Sequence, residues 1–414
     1  MTPLELRPIE GHEIEAYAAC QASAFSSRYP PDRLEALAKE LQLDRTLAVF
    51  DGGELVATAS SCAASMTLPG LVRSDVATVT DVAVTPTHRR RGLLTAMMRR
   101  QLDDFRANGE AIAALYASEG AIYGRYGYGP ATFAAQYLVD KRLARLLPPS
   151  SLPTAQAAQG SVRLVEQAQA AEAFPLVHGA YVPTRVGELD RPRSAWDEIL
   201  GEVSSPSMGY RFYACYEEGG RIDGYAVYRV AGIDPADHWR RGVFLEELCT
   251  LSDVAYTSLW RYLLGIDLTE ELRTGGRPVD EPVRYLFEDQ RQFRTAQWGY
   301  RTWVRLVDVE QALALRRYED DGALVVEVED PFCPWNDGRF AISVDGDGVA
   351  SVERVGTPAD LVVTVEVLSS LYLGGVPVAA LVEVGRLAEA RQGATRRAER
   401  MFTARRPPFC TSHF

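Results

Sequence analysis

The sequence predicts a mixed α/β protein, of the α+β kind, in which two units of like plan are followed by a third of different make-up. Three observations carry this reading. Helical and strand periodicities alternate over residues 1 to about 135, the same order begins again at Ser161, and from Ala323 onward period-two strands come first and helices after. The 414 residues, 47% of them hydrophobic, can bury the cores of two or three domains.

In the first unit, residues 46–60 read as strand, turn and strand, with Asp51-Gly52-Gly53 as a hairpin turn. Another strand is expected over 76–84, a helix over 92–107 and a buried strand over 111–117. Between the strand and the helix lies Val82-Ala-Val-Thr-Pro-Thr-His-Arg-Arg-Arg-Gly-Leu-Leu-Thr-Ala-Met-Met98. Pro86 marks the turn, and Leu93, Leu94, Ala96, Met97 and Met98 restart the chain with helical spacing. A helix start presents unpaired N–H groups and about half a positive charge, so an anion is stabilised there. Arg89, Arg90 and Arg91 add donors, and Gly92 lets the backbone approach the anion closely.

Three arginines at a helix start can also be a plain solvated charge run. Cations there oppose the helix dipole by roughly 0.3 to 1 kcal/mol each, and an anionic ligand removes the conflict. No Gly-Lys-Ser/Thr follows, and there is a single glycine, so neither a nucleoside-triphosphate loop nor a dinucleotide fingerprint fits. The segment reads as a pyrophosphate socket.

Residues 148–160, rich in Pro, Ser and Gln, have the composition of a linker. Beyond it, Ser161-Val-Arg-Leu-Val resembles Leu4-Glu-Leu-Arg-Pro in character, and Arg221-Ile-Asp-Gly-Tyr-Ala-Val-Tyr resembles the middle hairpin strand of the first unit. Residues 242–250 then stand where the socket strand is expected. The helix after them, with Ser252 or Asp253 as its N-cap, has no glycine in its first turn and no arginine before Arg261. An aspartate there repels a pyrophosphate, so this copy is read as degenerate.

The last hundred residues offer strands at 323–329, 339–344, 349–355 and 361–367, then helices at 368–373, 379–383 and 388–402. A filled core with a structural or oligomerisation role accounts for such a layer of helices over a sheet better than an open apolar tunnel does.

Arg89-x-x-Gly92 behind an apolar strand resembles the acetyl-CoA pyrophosphate loop of the GNAT N-acetyltransferases, with Leu94 where a small residue is common. The segment Ala117-Ser-Glu-Gly-Ala-Ile-Tyr-Gly-Arg-Tyr-Gly-Tyr-Gly-Pro-Ala-Thr132 closely resembles the one after the next strand in the enhanced intracellular survival (Eis-like) acetyltransferases of actinobacteria. In that family Thr-His-Arg-Arg-Arg-Gly-Leu-Leu occurs as it stands here, and the resemblance extends to both ends of the chain. It implies two tandem GNAT-like domains and a C-terminal sterol-carrier-protein-2-like domain. The expected boundaries are an active GNAT domain over 1–135, a connecting segment over 136–160, a degenerate GNAT domain over 161–303 and the closing domain over 304–414.

The resemblance also implies roles. Acetyl-CoA is the expected co-substrate, held by backbone groups of Val82, Ala83 and Val84 and by Arg89, Arg90, Arg91, Gly92, Leu93 and Leu94. Tyr123 stands at the position of the family's general acid, with Tyr116, Tyr126 and Tyr128 as the competing tyrosines. A phenol of pKa about 10 can protonate a thiolate whose acid lies near 8.5 at small cost. The expected base is the C-terminal carboxylate of Phe414, on a tail stiffened by Pro407 and Pro408 and anchored by Phe409 and Phe414. Burial narrows the gap between a carboxylate near 3.5 and an ammonium near 10.4. Asp81, Ser118 and Glu119 are candidate substrate contacts, and Asp81, Glu119 or a water chain is the fallback for the base. His413 stands where the aminoglycoside-acetylating members are expected to carry an acidic or polar residue, which leaves the amine open.

The acceptor expected is a cationic small amine, aminoglycoside-like or a polyamine, acetylated directly in a ternary complex. Protein lysine acetylation and a non-catalytic lipid-binding or scaffold role are the alternatives. A net charge of -12 speaks against nucleic acid and is compatible with a cationic substrate. Six scattered cysteines suggest neither a zinc site nor a disulfide framework, and no metal is expected. No apolar run suits a membrane span, and Glu5, Glu10, Glu13 and Glu15 argue against a leader, so a cytoplasmic enzyme is expected. A homo-oligomer, a hexamer, is what the resemblance implies.

Overall fold

The computed structural model describes residues 4–29, 31–151, 159–201, 209–234, 236, 237 and 239–413. One unit comprises the chain up to Thr132, residues 301–405 and His413; the other comprises residues 133–300 and 406–412.

The first unit opens with β1 (Glu5–Pro8), α1 (Ile14–Phe25) and α2 (Pro31–Glu40). An antiparallel run of β2 (Thr46–Asp51), β3 (Glu54–Leu68) and β4 (Val72–Val84) follows. The β2–β3 turn is the one expected, with Gly52 and Gly53 at φ 62° and 90°, where only glycine sits without strain. Next come α3 (Leu93–Ala107), β5 (Ile112–Tyr116), the single turn α4 (Gly120–Tyr123) and the two-residue β6 (Gly129–Pro130). Leu93, Met97, Met98, Leu102 and Phe105 fall on one face of α3 and are buried in one apolar cluster with Ala57, Ala59, Ala77 and Val79. Each such large side chain contributes roughly 1.5 to 3 kcal/mol before the entropy of ordering it.

The second unit begins with β7 (Phe133–Asp140), which pairs with three other strands. The sequence reading placed residues 136–140 in a connecting segment. Ala135, Tyr137 and Val139 in fact alternate inward and are buried, so the pattern is that of a strand whose partners arrive more than a hundred residues later. Of the expected linker over 148–160, residues 152–158 lie outside the described residues.

β8 (Ser161–Val165), α5 (Gln167–Tyr181), α6 (Arg193–Leu200), β9 (Arg211–Glu218), β10 (Arg221–Gly232) and β11 (Arg241–Thr250) continue the second unit. α7 (Asp253–Gly265), β12 (Glu271–Thr274), β13 (Arg277–Pro278) and β14 (Phe293–Tyr300) complete it. The run β8-β9-β10-β11-β12 repeats β1-β2-β3-β4-β5: a helix pair follows the first strand, and the last step is parallel in both. The duplication read from the sequence is therefore present in the topology.

The chain then returns to the first unit as β15 (Thr302–Leu306), antiparallel to β5 along its whole length, so the first sheet runs β1-β2-β3-β4-β5-β15-β6. The chain has thus rejoined the first unit by Arg301, close to the boundary expected near residue 303. β6 has two residues, one of them Pro130 without an N–H, and is too short to cover the edge of β5 that β15 pairs in full.

Last come α8 (Val309–Leu315), β16 (Gly322–Glu329), β17 (Gly338–Val344), β18 (Ala350–Arg354) and β19 (Leu361–Thr364). α9 (Val365–Leu371), α10 (Val378–Glu383), β20 (Leu387–Glu389) and α11 (Ala394–Phe402) follow. The sheet order is β18-β17-β16-β19-β20. Two expectations fail here. The strand read over 361–367 stops at Thr364, whose hydroxyl accepts from Val367 N and starts a helix. The helix read over 388–402 begins only at Ala394, because 387–389 pairs with β19 and Gly393 turns the chain at φ 87°. Among the described residues no helix is long and apolar enough to cross a membrane.

Candidate active site

The parallel pairing of β4 and β5 covers Ala77, Thr78 and Val79 against Ala113, Ala114 and Leu115. β4 continues five residues beyond it, to Val84, with β3 on its other side. Two parallel strands that part in this way leave the stretch Val82 to Val84 without a β5 partner, so alternate residues of it turn main-chain N–H and C=O groups toward the opening. Ala83 is buried, Val82 and Val84 half-buried.

A bulge sits at the parting. The register with β3 shifts between Thr58 and Ser60, and Asp81 takes a left-handed φ of 53°. That backbone is held from two sides. The Asp81 carbonyl accepts from Gln21 Nε2 at 2.5 Å and from Thr58 Oγ1 at 2.8 Å, while Tyr17 donates its hydroxyl to Asp81 Oδ2 at 3.0 Å. Tyr17 is fully buried, and burial first, then the Asp81 charge, push its hydroxyl far above the usual phenol range. It is a neutral donor. Tyr17, Gln21 and Thr58 were not among the residues picked from the sequence; the available signal was that Tyr17 and Gln21, four apart, share one face of α1.

Residues 85–92 lead from β4 to α3. Arg90 at φ 62° and Gly92 at φ 82° are both left-handed, a backbone path that turns successive N–H groups to one side. Gly92 is the N-cap and brings no side-chain cap, so the first-turn N–H groups of Leu93 and Leu94 are left to an outside acceptor. Arg91 reaches Asp51 Oδ2 at 3.3 Å, as does His88 Nε2, and Arg89 rests on the Val84 and Ala24 carbonyls at 3.4 Å. These are long, partly exposed contacts worth little each, so the guanidinium groups can turn to a phosphate.

In the second unit the corresponding crossing is short: Leu251 and Ser252 alone separate β11 from α7. Ser252 caps the helix with its own side chain, accepting from Ala255 N at 3.2 Å, and Asp253 occupies the first turn. One N–H of that helix start is thus already taken by its own cap, and an anion would meet the Asp253 carboxylate.

Beyond β5, Ser118 and Glu119 lie in an exposed bend, Glu119 as the N-cap of α4. Tyr123 ends α4 with its ring 5% exposed, in the same apolar cluster as Val79, Leu93 and Leu115, on which Val82, Val84 and Leu94 also pack. Burial pushes its hydroxyl up to about 12, aided by Tyr126 and Glu119. The competing tyrosines are engaged differently. Tyr126 pairs its hydroxyl with Thr95 at 3.1 Å and sets its ring edge-on to Phe332, and Tyr128 is fully buried at 6.1 Å from the Tyr123 ring. Tyr116 has the His413 ring at 4.4 Å, so His413 lies at the end of β5. Phe414 lies outside the described residues.

The glycines of this segment answer to packing. Gly127 turns at φ 83° against Arg305 and Val365, and a Cβ on Gly129 would stand 2.2 Å from the Glu366 carbonyl oxygen of α9. Among the described residues there is no group of three or more His, Cys, Asp or Glu side chains that could hold a metal ion.

Known families and proteins match this arrangement. Residues 5–131 and 187–306 each match an acetyltransferase (GNAT) domain family, and residues 309–411 match the sterol carrier protein domain. The chain is 39% identical over 399 residues to an uncharacterized N-acetyltransferase of Streptomyces coelicolor, covering 94% of this chain and 95% of that one. It is 34% identical over 377 residues to the N-acetyltransferase Eis of Mycobacterium tuberculosis, 88% of each chain. The crystal structure of Eis1 from Mycobacterium abscessus matches with a TM-score of 0.87 at 34% identity, over 99% of this chain and 100% of that one. With two GNAT domains, one of which has the open loop, and a closing sterol carrier protein domain, the chain belongs to the Eis-type GNAT N-acetyltransferases.

Proposed function

We propose that this acetyltransferase moves the acetyl group of acetyl-CoA directly onto a primary amine of a cationic small molecule, aminoglycoside-like or a polyamine. The observation that carries the reading is the parting of β4 from β5 beside an uncapped helix start with Arg89, Arg90 and Arg91. Acetyl-CoA supplies the acyl group and departs as the thiolate. Its pyrophosphate suits the Gly92 turn, and its amides and thioester carbonyl suit the main-chain groups of Val82, Ala83 and Val84. Leu93 and Leu94 contribute their first-turn N–H groups.

Tyr123 is the proton donor to the leaving sulfur. Because its hydroxyl is pushed up to about 12, it holds its proton throughout the neutral range. The Phe414 carboxylate takes the proton of the amine, directly or through water; the contact of His413 with Tyr116 supports this reading by bringing the neighbouring residue to the end of β5. Asp81, fixed by three donors, is the carboxylate offered to the cation, with Ser118 and Glu119 at the rim. The acceptor is identified by thiol release from acetyl-CoA against a panel of aminoglycosides, polyamines and lysine peptides. Turnover with the small cations and none with the peptides is expected, and turnover confined to the peptides would overturn the substrate class.

A further inference from the structure

The bulge in β4 contains one peptide unit whose direction is fixed from outside the strand, and every group concerned lies within the first unit. Tyr17 and Gln21 stand one turn apart on α1, and they and Thr58 of β3 are buried. Gln21 Nε2 donates to the Asp81 carbonyl at 2.5 Å and to Thr58 Oγ1 at 2.6 Å, and the Thr58 hydroxyl gives its own proton to the same carbonyl at 2.8 Å. A carbonyl oxygen has two lone pairs. Here α1 takes one and β3 the other.

The direction of that carbonyl decides the direction of the next N–H. The peptide joining Asp81 to Val82 is trans, and in a planar trans peptide the C=O and the N–H point to opposite sides. Tyr17 packs with Ala48 and Phe50 on one face of the sheet, whereas Val49, Ala57, Ala59 and Tyr123 share a cluster on the other. With the Asp81 carbonyl held toward Gln21 on the α1 face, the Val82 N–H is turned to the Tyr123 face. A non-glycine residue at φ 53° persists only where its surroundings over-determine it. The two donors supply that constraint.

We propose that Gln21 and Thr58 are positioning residues that orient this peptide and so aim the Val82 N–H at the thioester oxygen. The inference rests on the reading of the Val82 to Val84 main chain as the cradle of the thioester. As the amine nitrogen bonds to the carbonyl carbon and its proton passes to the base, an electron pair moves onto that oxygen. The pair returns as the C–S bond breaks and the departing thiolate takes the Tyr123 proton. An N–H already aimed at the oxygen stabilises the charge without reorganising, and loss of one such donor costs about 10²- to 10³-fold in rate. Gln21 and Thr58 act only through the peptide that they hold.

The test uses the full-length chain and the double variant Gln21→Met, Thr58→Val, which removes both donors at nearly constant volume. Its kcat is expected to fall about 10- to 100-fold, while CoA, which has no acetyl carbonyl, binds by calorimetry as it does to the parent. Thr58→Ser, which keeps the hydroxyl, is expected to retain most of the parent's kcat. Infrared difference spectra of bound acetyl-CoA, labelled with carbon-13 at the acetyl carbonyl, read the N–H itself. The stretch is expected below that of free acetyl-CoA in the parent, because a hydrogen bond weakens C=O, and to return toward the free value in the double variant. If the double variant does not fold, Gln21→Met alone removes the α1 donor and carries the same expectations. A variant with parental kcat, or with a stretch as low as the parent's, overturns the positioning role and leaves the cradle reading standing. Loss of CoA binding would overturn it too, since the effect would then fall on the whole loop. A parent stretch no lower than that of free acetyl-CoA overturns the cradle reading, and the positioning role with it.

Discussion

Replacing Tyr123 by Phe removes one oxygen from a ring that is 5% exposed, while leaving the ring in its cluster and edge-on to Tyr128. Packing is retained, so the melting temperature should stay near the parent's. The rate should not. A positioned general acid is worth about 10² to 10⁴ in rate, or roughly 2.7 to 5.4 kcal/mol at 1.36 kcal/mol per decade. The loss should fall on kcat for thiol release at saturating acetyl-CoA, with cofactor affinity unchanged. The pH profile supplies a second readout. An unperturbed phenol near 10 is half ionised at pH 10, whereas one pushed up to about 12 is about 1% ionised there. The protonated form is the active one, so the parent's kcat should show no falling limb from this group below about pH 11. Tyr123→Phe within two-fold of the parent, with Tyr126→Phe inactive, would move the acid to the hydroxyl beside Thr95 and refute the assignment.

Other substitutions test the framework that holds the site. Gly129→Ala puts a Cβ 2.2 Å from the Glu366 carbonyl oxygen, so urea denaturation should show a loss of about 2 kcal/mol or more, as overpacking against backbone does. Arg305→Met leaves Asp330, fully buried and 2.5 Å from the guanidinium in the parent, without its counter-charge. The same assay should report a loss of about 3 to 5 kcal/mol, recovered in part by adding Asp330→Asn. Asp81→Asn removes a charge and keeps the shape; KM for a dicationic amine should rise about 10-fold while acetyl-CoA binding by calorimetry is unchanged. An unchanged KM would leave Asp81 as a structural part of the bulge.

The strand, turn and helix that frame the proposed socket were legible because their determinants are local. The switch from the strand ending at Val84 to the helix beginning at Leu93 is written in periodicity, and Gly92 and the arginines sit in the turn between. The capped start of α7 was legible for the same reason, through Ser252 and Asp253. What failed to show was partnership over distance. Trp303 to Leu306 reads as a strand in any sheet, and its place beside β5 follows from an edge that the short β6 leaves open. The alternation through Ala135, Tyr137 and Val139 was visible, yet its partners lie near residues 271 and 293. At 361–367 the valine-rich alternation favoured a longer strand, and one threonine cap overrode it. The Tyr17 bond to Asp81 spans helix and strand 64 positions apart, and no spacing rule announces it.

The central claim is that one cofactor site, the Gly92 turn, serves the whole chain. Isothermal titration of CoA into the full-length protein measures this directly. One CoA per chain is expected, with loss of binding in the double variant Arg89→Ala, Arg90→Ala while its far-ultraviolet circular dichroism is preserved. Two CoA per chain, or undiminished binding in the double variant, would contradict it.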